Sequence, residues 1–324
     1  MNTTVDPAAQ QALAIVIPAH RITYLEQTLA SLAEQSDPRF DVVVGDDASA
    51  DDVAGVCARY ASRLNLRYHR FEFNLGRQDL VAQWMRCVQL STQAWVWMIG
   101  DDDVLEAGCV AAFYAARRAE PQAELFHFAV RRIDADGAVL GDELPFESPC
   151  SARRFLLTRL KFERASYAPD YVFSRVAFDR VGGFQPFALA WCSDDATWAL
   201  LAARHGIHSV DGPRVRWRLS GSNISSRSAH NAAIKVQAQL AFVEWLAAAL
   251  PRLPLAPADP SDAALRQWAR FWFFEQCQRV GGRFTVAQAW ASSRRLKRAI
   301  GAPLAGSLLR AMRCNWQLRS TPAQ

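Results

Sequence analysis

From Leu13 to about Ile133 the chain repeats one pattern, a short run of β-branched and aromatic residues followed by a stretch whose apolar positions have helical spacing. Such alternation is how a βαβ-wound sheet is encoded, so it predicts an α/β fold. The candidate strands are residues 13–17, 40–45, 66–71, 94–99 and 125–132. Between them, residues 24–34 place Leu25, Leu29 and Leu32 on one helical face. Ser49 followed by Asp52 has the Ser-x-x-Asp signature of a helix start, and Asp136-Gly137 punctuates a hairpin turn.

Residues 152–226 are mixed. They predict a helix near 154–160, a strand at 171–174, a Gly182-Gly183 turn, a helix over 195–205, a turn at 210–213 and a strand at 215–219. Beyond Ala229 the pattern is wholly helical, broken by a stiff linker carrying Pro251, Pro254, Pro257 and Pro260. The expected organisation is an α/β domain over residues 1–228 and a helical appendage outside the sheet over 229–324.

At 324 residues the chain can bury a large core, and no stretch approaches the roughly 18 uninterrupted apolar residues of a transmembrane helix. The segment ALAIVIPA has no basic region before it and contains Pro18, so it reads as a first strand and not a signal peptide. The seven cysteines, at 57, 87, 109, 150, 192, 277 and 314, form no CxxC pair, which points to free thiols in a reducing, cytoplasmic compartment. The six histidines show no HExxH spacing, which argues against zinc and leaves oxygen ligation for any metal. From Gln276 onward there are nine Arg/Lys and no Asp/Glu, so the tail carries +9 against a net charge of +5 for the whole chain, and the remainder is −4.

Three acidic groups are notable for where they fall. The apolar run within QAWVWMIGDDDVLEAG, residues 93–108, stops at Asp101, Asp102 and Asp103. It is too short for an independent helix and reads as a strand buried on both faces, which puts the aspartates at its carboxyl end. In open α/β sheets that end faces the ligand crevice. Adjacent carboxylates repel one another, and a hard divalent cation relieves the repulsion; a solvated turn before a helix near Gly108 fits the same residues. Asp46-Asp47 ends the strand DVVVG and Asp194-Asp195 opens DDATWALLAARHG. A turn or a helix cap explains either pair alone, but less easily all three sites in one α/β chain.

In order, IVIPAHRITYLEQTLASLAEQS, VVVGDDASADD, NLGRQ, WMIGDDDVLEAG, YVFSRVAFDRVGGF, SDDATWALLAARHG and WRLSGSNISS resemble the motifs of the inverting family 2 glycosyltransferases, over residues 13–226. The resemblance implies the GT-A fold, a Rossmann-like mixed sheet flanked by helices. It implies transfer of a sugar with inversion from a nucleotide-diphosphate donor, UDP-linked, to a hydroxyl of a glycan or lipid-linked acceptor in cell-envelope polysaccharide synthesis. By the same resemblance Pro18, Ala19 and His20 line the nucleobase, Asp47 accepts a hydrogen bond from it, and Arg77 reaches phosphate or ribose. Asp101 and Asp102 fall in a DxD-type motif against the donor, and Asp102 and Asp103 are the implied ligands of Mg²⁺ or Mn²⁺ at the diphosphate. Asp195 matches the general base toward the acceptor hydroxyl, with Asp194 orienting or capping. Two positions depart from the pattern: Ser220 stands where many members carry a metal-binding histidine, and Arg21 replaces a usual asparagine.

Two rival classes remain. A nucleotidyltransferase on a similar sheet would place a glycine-rich loop after its first strand, but PAHRIT has no glycine. A non-catalytic sugar-nucleotide-binding or scaffold protein of the same fold is favoured by Ser220 and opposed by Asp47, Asp103 and Asp195. The tail mixes Trp290, Leu296, Leu304 and Leu308 with clustered arginines. That suits either peripheral contact with an anionic membrane or a helix packed on the domain with its arginines in water. No nucleic-acid recognition motif accompanies the charge.

Overall fold

A computed structural model describes residues 13–221, 223–224 and 229–320. The residues before Leu13, read above as lacking a signal peptide, and part of the WRLSGSNISS motif lie outside the described residues. The chain runs β1 (Leu13–Ala19), α1 (Leu25–Ala33), β2 (Phe40–Asp46), α2 (Val53–Ala58), β3 (Leu66–Arg70), α3 (Leu80–Gln89), β4 (Trp95–Met98), β5 (Val104–Leu105), α4 (Cys109–Ala119), β6 (Leu125–Ile133) and β7 (Val139–Glu143). It continues through α5 (Ala152–Leu160), β8 (Tyr171–Ser174), α6 (Arg175–Arg180), α7 (Ser193–His205) and β9 (His208–Arg218) to α8 (Ala229–Ala249), α9 (Asp262–Arg279), α10 (Val286–Ile300) and α11 (Leu304–Ser320).

The nine strands form one mixed sheet in the order β3-β2-β1-β4-β8-β6-β9-β5, with β7 hydrogen-bonded to β6. β1, β2, β3 and β4 are mutually parallel, whereas β8 runs antiparallel to both β4 and β6. Side chains alternate between the two faces with the period of a strand. Leu13, Ile15 and Ile17 of β1 and Trp95 and Trp97 of β4 enter the core under α1, α2 and α4. Ala14, Val16, Val96 and Met98 enter a larger core on the other face, with Phe155 of α5 and Trp198 of α7. Both faces are covered, which is why the central strands read as continuous apolar runs.

Two local expectations shift. The helix expected to start at Ser49 is capped instead by Asp52, whose Oδ1 accepts from Gly55 N at 2.8 Å, while the Ser49 hydroxyl donates to His20 O at 2.6 Å. The turn expected at 210–213 is an irregularity inside one long strand. β9 continues through it, with Gly212 at φ 101° and the β6 register slipping between Phe128 and Val130.

The C-terminal helices lie outside the sheet but within the larger core. Phe242 of α8 stacks on Trp245 and meets Trp272 of α9 and Phe187. Residues Asn231–Arg252 have the length and apolarity of a membrane span, yet Val236, Leu240, Phe242, Val243 and Leu246 are buried in this core. The proline linker is pinned to α5. Buried Arg153 donates to the carbonyls of Leu250, Leu253, Pro254 and Pro260 and pairs with Asp262 at 2.7 Å.

Because both regions share a core, Phe242→Ala is expected to cost about 3–5 kcal/mol within a single cooperative denaturant transition. Two separate transitions would show that the helical region folds independently.

Candidate active site

The register Ala19↔Asp46 brings the carboxyl ends of β1 and β2 level, with the end of β4 beside them. Three loops meet there and are tied by carboxylates. Asp101 Oδ2 accepts from His20 N and Arg21 N at 2.9 and 3.0 Å, fixing the loop after β1. Asp46 is fully buried, accepting from Ser49 N, the Tyr68 hydroxyl and Arg70. Asp47 Oδ1 accepts from Leu75 N and Arg86 Nη2 at 2.8 and 2.7 Å, and its Oδ2 accepts from Gly76 N at 2.9 Å. Asn74 bridges these loops, donating to Asp47 O and lying 3.2 Å from His20 Nδ1.

A cavity of about 580 Å³ opens beside this junction. Asp101, Asp102 and Asp103 line one side, and Asp194 and Asp195 line another. Asp103 is a strut: Oδ2 accepts from Gly100 N at 3.0 Å, Oδ1 from Arg218 N at 3.3 Å, and its carbonyl from the Thr28 hydroxyl at 2.8 Å. Asp102 accepts from Asn223 Nδ2 at 3.2 Å through Oδ2 alone, and no other described residue donates to its Oδ1. Burial and the Asp101 charge push Asp102 up to about 6. Burial and the Asp102 charge raise Asp103 well above the ordinary carboxylate range. The nearest cation, Arg218, is buried and spends its guanidinium on Asp102 O, Asp134 O, Ala135 O and Gln27 Oε1.

Across the cavity, α7 begins with two carboxylates in different surroundings. Asp195 is held by both arms of Arg159, at 2.8 and 3.1 Å. Burial works against the Arg159 charge, but the Asp195 carboxylate more than restores it. Asp194 has no side-chain partner among the described residues, and burial with the adjacent Asp195 charge pushes it up to about 7. The segment leading in is strained. Leu189, Ala190 and Cys192 sit at φ 58°, 52° and 75°, a region that costs non-glycine residues about 1–3 kcal/mol each and clusters at functional sites. Tyr167 stacks on Trp217 with centroids 4.1 Å apart, and Trp84, Trp191 and Trp272 add apolar faces suited to a sugar ring.

Of the residues singled out from sequence, Pro18, His20, Asp101, Asp102, Asp103 and Asp195 line this cavity. Ala19, Asp47 and Arg77 do not. Ala19 is buried in the core, Asp47 is turned into the Asn74–Gly76 loop, and Arg77 is an exposed residue whose backbone N donates to Asn74 Oδ1. Asp103 is the weaker of the two expected metal ligands, since each of its oxygens already accepts a backbone N–H. Ser220 donates to Asn223 Oδ1 at 2.8 Å, so the position that departs from the family pattern helps set the amide that reaches Asp102. No group of three His, Cys, Asp or Glu side chains suited to a metal occurs among the described residues. Of the three aspartates after β4, Asp102 has the fewest donors to its carboxylate among the described residues. Sequence reasoning missed Arg159, Arg218 and Asn223, whose roles come from partners 36, 116 and 121 positions away.

The family model described as Glycosyl transferase family 2 matches residues 14–180. The uncharacterized protein MT1568 of Mycobacterium tuberculosis (strain CDC 1551 / Oshkosh) is 30% identical over 134 residues, 41% of this chain and 40% of that relative, so the match spans less than half of it. The S. aureus TarS fragment 1-349, solved in complex with UDP-GlcNAc, superposes with a TM-score of 0.66 at 14% identity, covering 95% of this chain and 90% of the fragment. Against the longer TarS crystal structure the chain covers 55% of that chain. The mannosyltransferase PcManGT from Pyrobaculum calidifontis, solved with GDP-Man and Mn²⁺, gives 0.55 at 17% identity over 97% of this chain and 90% of that one. At these identities the likeness is one of fold.

The Asp47 geometry predicts a structural phenotype. Asp47→Ala removes the only carboxylate that Arg86 pairs with among the described residues, leaving it Gln83 Oε1 and Phe73 O, and strips two backbone N–H groups of their acceptor, so thermal or denaturant unfolding should show a loss of about 3–5 kcal/mol. A variant of unchanged stability with weakened nucleotide binding would put Asp47 on the ligand instead.

Proposed function

The chain belongs to glycosyl transferase family 2 and has the GT-A fold, and from that premise we propose that it moves a sugar from a nucleotide-diphosphate donor, UDP-linked, to a hydroxyl of a glycan or lipid-linked acceptor with inversion. The observation that carries this reading is the placement of two separate carboxylate groups, Asp101–Asp103 and Asp194–Asp195, around one aromatic-lined cavity. Inversion needs a base on the face of the sugar opposite the departing diphosphate, and two such groups can divide that work. Seven free thiols support a reducing, cytoplasmic setting, where cell-envelope polysaccharide precursors are built.

On the donor side, the loop after β1, held by Asp101, carries Pro18 and His20 to the nucleobase. Asp102 is the carboxylate fitted to hold Mg²⁺ or Mn²⁺, which when bound supplies Lewis-acid charge to the diphosphate. Trp191 and Trp217, which line the cavity, offer apolar surface to the sugar.

On the acceptor side, Asp195 is the base by family pattern, oriented by the Arg159 fork. A second reading makes Asp194 the base, favoured because no side chain pairs with it and it is held at about 7, where a base both ionises and binds a proton near neutrality.

Replacing the true base by Asn should lower transfer about 10²–10⁴-fold and leave donor binding intact. If that base is Asp194, the wild-type rate should climb with pH through about 7 as its carboxyl ionises, and Asp194→Asn should abolish that limb. Full transfer by both Asp194→Asn and Asp195→Asn would remove the base from this pair. On the donor side, Mn²⁺-dependent UDP binding should weaken as pH falls through about 6 and Asp102 takes up a proton. Asp102→Asn should bind UDP equally with and without EDTA; a full Mn²⁺ response in that variant would displace the ligand assignment.

A further inference from the structure

A second cavity, of about 560 Å³, lies between α9, the turn after α10 and α11, and shares no lining residue with the first. Trp268, Phe271, Ile300 and Pro303 form apolar walls, the cationic lining comes from Arg266, Arg270 and Arg310, and no Asp or Glu lines it. Nε of Arg266 and Nε of Arg270 are buried without a hydrogen-bond partner among the described residues, and Arg310 lies over the Phe271 ring at 5.8 Å. Lys161 approaches Trp268 at 5.1 Å but is itself paired with Glu163.

This arrangement contrasts with the arginines of neighbouring helices. Arg153 has Asp262, Arg159 has Asp195, and Arg295 has Glu244. Around the second cavity like charges face one another with no carboxylate among the described lining residues, and burial together with the Arg310 charge pulls Arg270 below its ordinary value. Arrangements of that kind are costly in an empty pocket and favourable around an anion. Guanidinium forks match the oxygens of a phosphate, and the aromatic walls suit an apolar group attached to it.

We propose that this cavity binds an organic phosphate whose ester group is apolar, with Arg266, Arg270 and Arg310 taking the phosphate and Trp268 and Phe271 the apolar part. A phospholipid headgroup region and a soluble alkyl phosphate offer the same chemistry. Leu309 and Met312, beside Arg310 on α11 and 63% and 56% exposed, are placed to touch a bilayer in the first case.

The test uses the full chain in EDTA. Decyl phosphate below its micellar concentration is titrated calorimetrically, with inorganic phosphate and decyl maltoside as comparators, and flotation with phosphatidylglycerol vesicles is compared with phosphatidylcholine. Decyl phosphate should saturate one site, both comparators should bind at least about tenfold more weakly, and Arg270→Met with Arg310→Met should weaken decyl phosphate by at least about tenfold. That variant should keep UDP binding at the first cavity and lose no thermal stability, because it removes opposed charges, whereas purely structural arginines would cost stability when replaced. Flotation on phosphatidylglycerol alone, lost in the variant, identifies a membrane lipid; decyl phosphate binding without flotation identifies a soluble ester. Should the double variant fail to fold, Arg310→Met alone, at an exposed position of α11, should weaken decyl phosphate severalfold. Absence of saturable binding, equal affinity for inorganic phosphate, or wild-type affinity in the variant that folds overturns the proposal. None of these readouts depends on sugar transfer.

Discussion

The rest of the structure is arranged around three carboxylates at the carboxyl end of β4, Asp103 buried and Asp101 and Asp102 half-buried, a charge density that protein interiors accept only when such groups are given donors. Asp101 is satisfied by the loop after β1, and Asp103 by Gly100 and Arg218. In being satisfied they fix that loop, the turn after β4 and the end of β9 relative to one another. Arg218 adds a cation but meets backbone carbonyls and Gln27, with its guanidinium 4.3 Å from the Tyr24 ring, so it softens the field without neutralising any one aspartate. Asp102 keeps the residual negative charge, and the cavity beside it is where that charge can be met from outside.

The far wall works by the same logic with a different outcome. One carboxylate of the α7 pair is given a buried guanidinium and the other is given none. Neighbouring carboxylates are thus held in unlike surroundings, Asp195 fixed in direction by the Arg159 fork and Asp194 left to titrate at about 7. The left-handed residues at 189, 190 and 192 turn the backbone sharply into α7, so the strain is located where the two carboxylates are aimed.

Periodicity made most of the sheet legible. β1, β2, β4 and β6 are buried on both faces, and their apolar runs ended close to where the strands end. The two-residue β5 and the first half of β9 were not legible, because neither a bridge of that length nor a strand crossing Gly212-Pro213 has a repeating pattern, whereas the second half of β9 coincides with the strand expected at 215–219. Within the site, position along the chain located the acidic groups but not their directions. Consecutive aspartates in a turn point apart: Asp47 turns to Arg86 while Asp46 turns to Tyr68 and Arg70, and spacing holds no record of either choice. Arg159 and Arg218 were invisible for a related reason, since a buried arginine differs from a surface one only in the partners that folding brings to it.

The C-terminal helices show how an element can stand outside the sheet and still belong to the site. Trp272 and Gln276 of α9 line the first cavity, and Ala263, Arg266, Gln267, Trp268, Arg270 and Phe271 of the same helix line the second. A helix of 18 residues with apolar side chains buried along its length is stiff over that distance, so its two ends cannot be positioned independently. The linker before it is anchored by Arg153 to α5, and α5 carries Arg159 to Asp195. The position of α9, the shape of the first cavity and the orientation of the Asp194 and Asp195 carboxylates are thereby set by one connected framework, in which the helical region completes the pocket at the sheet's edge rather than decorating it.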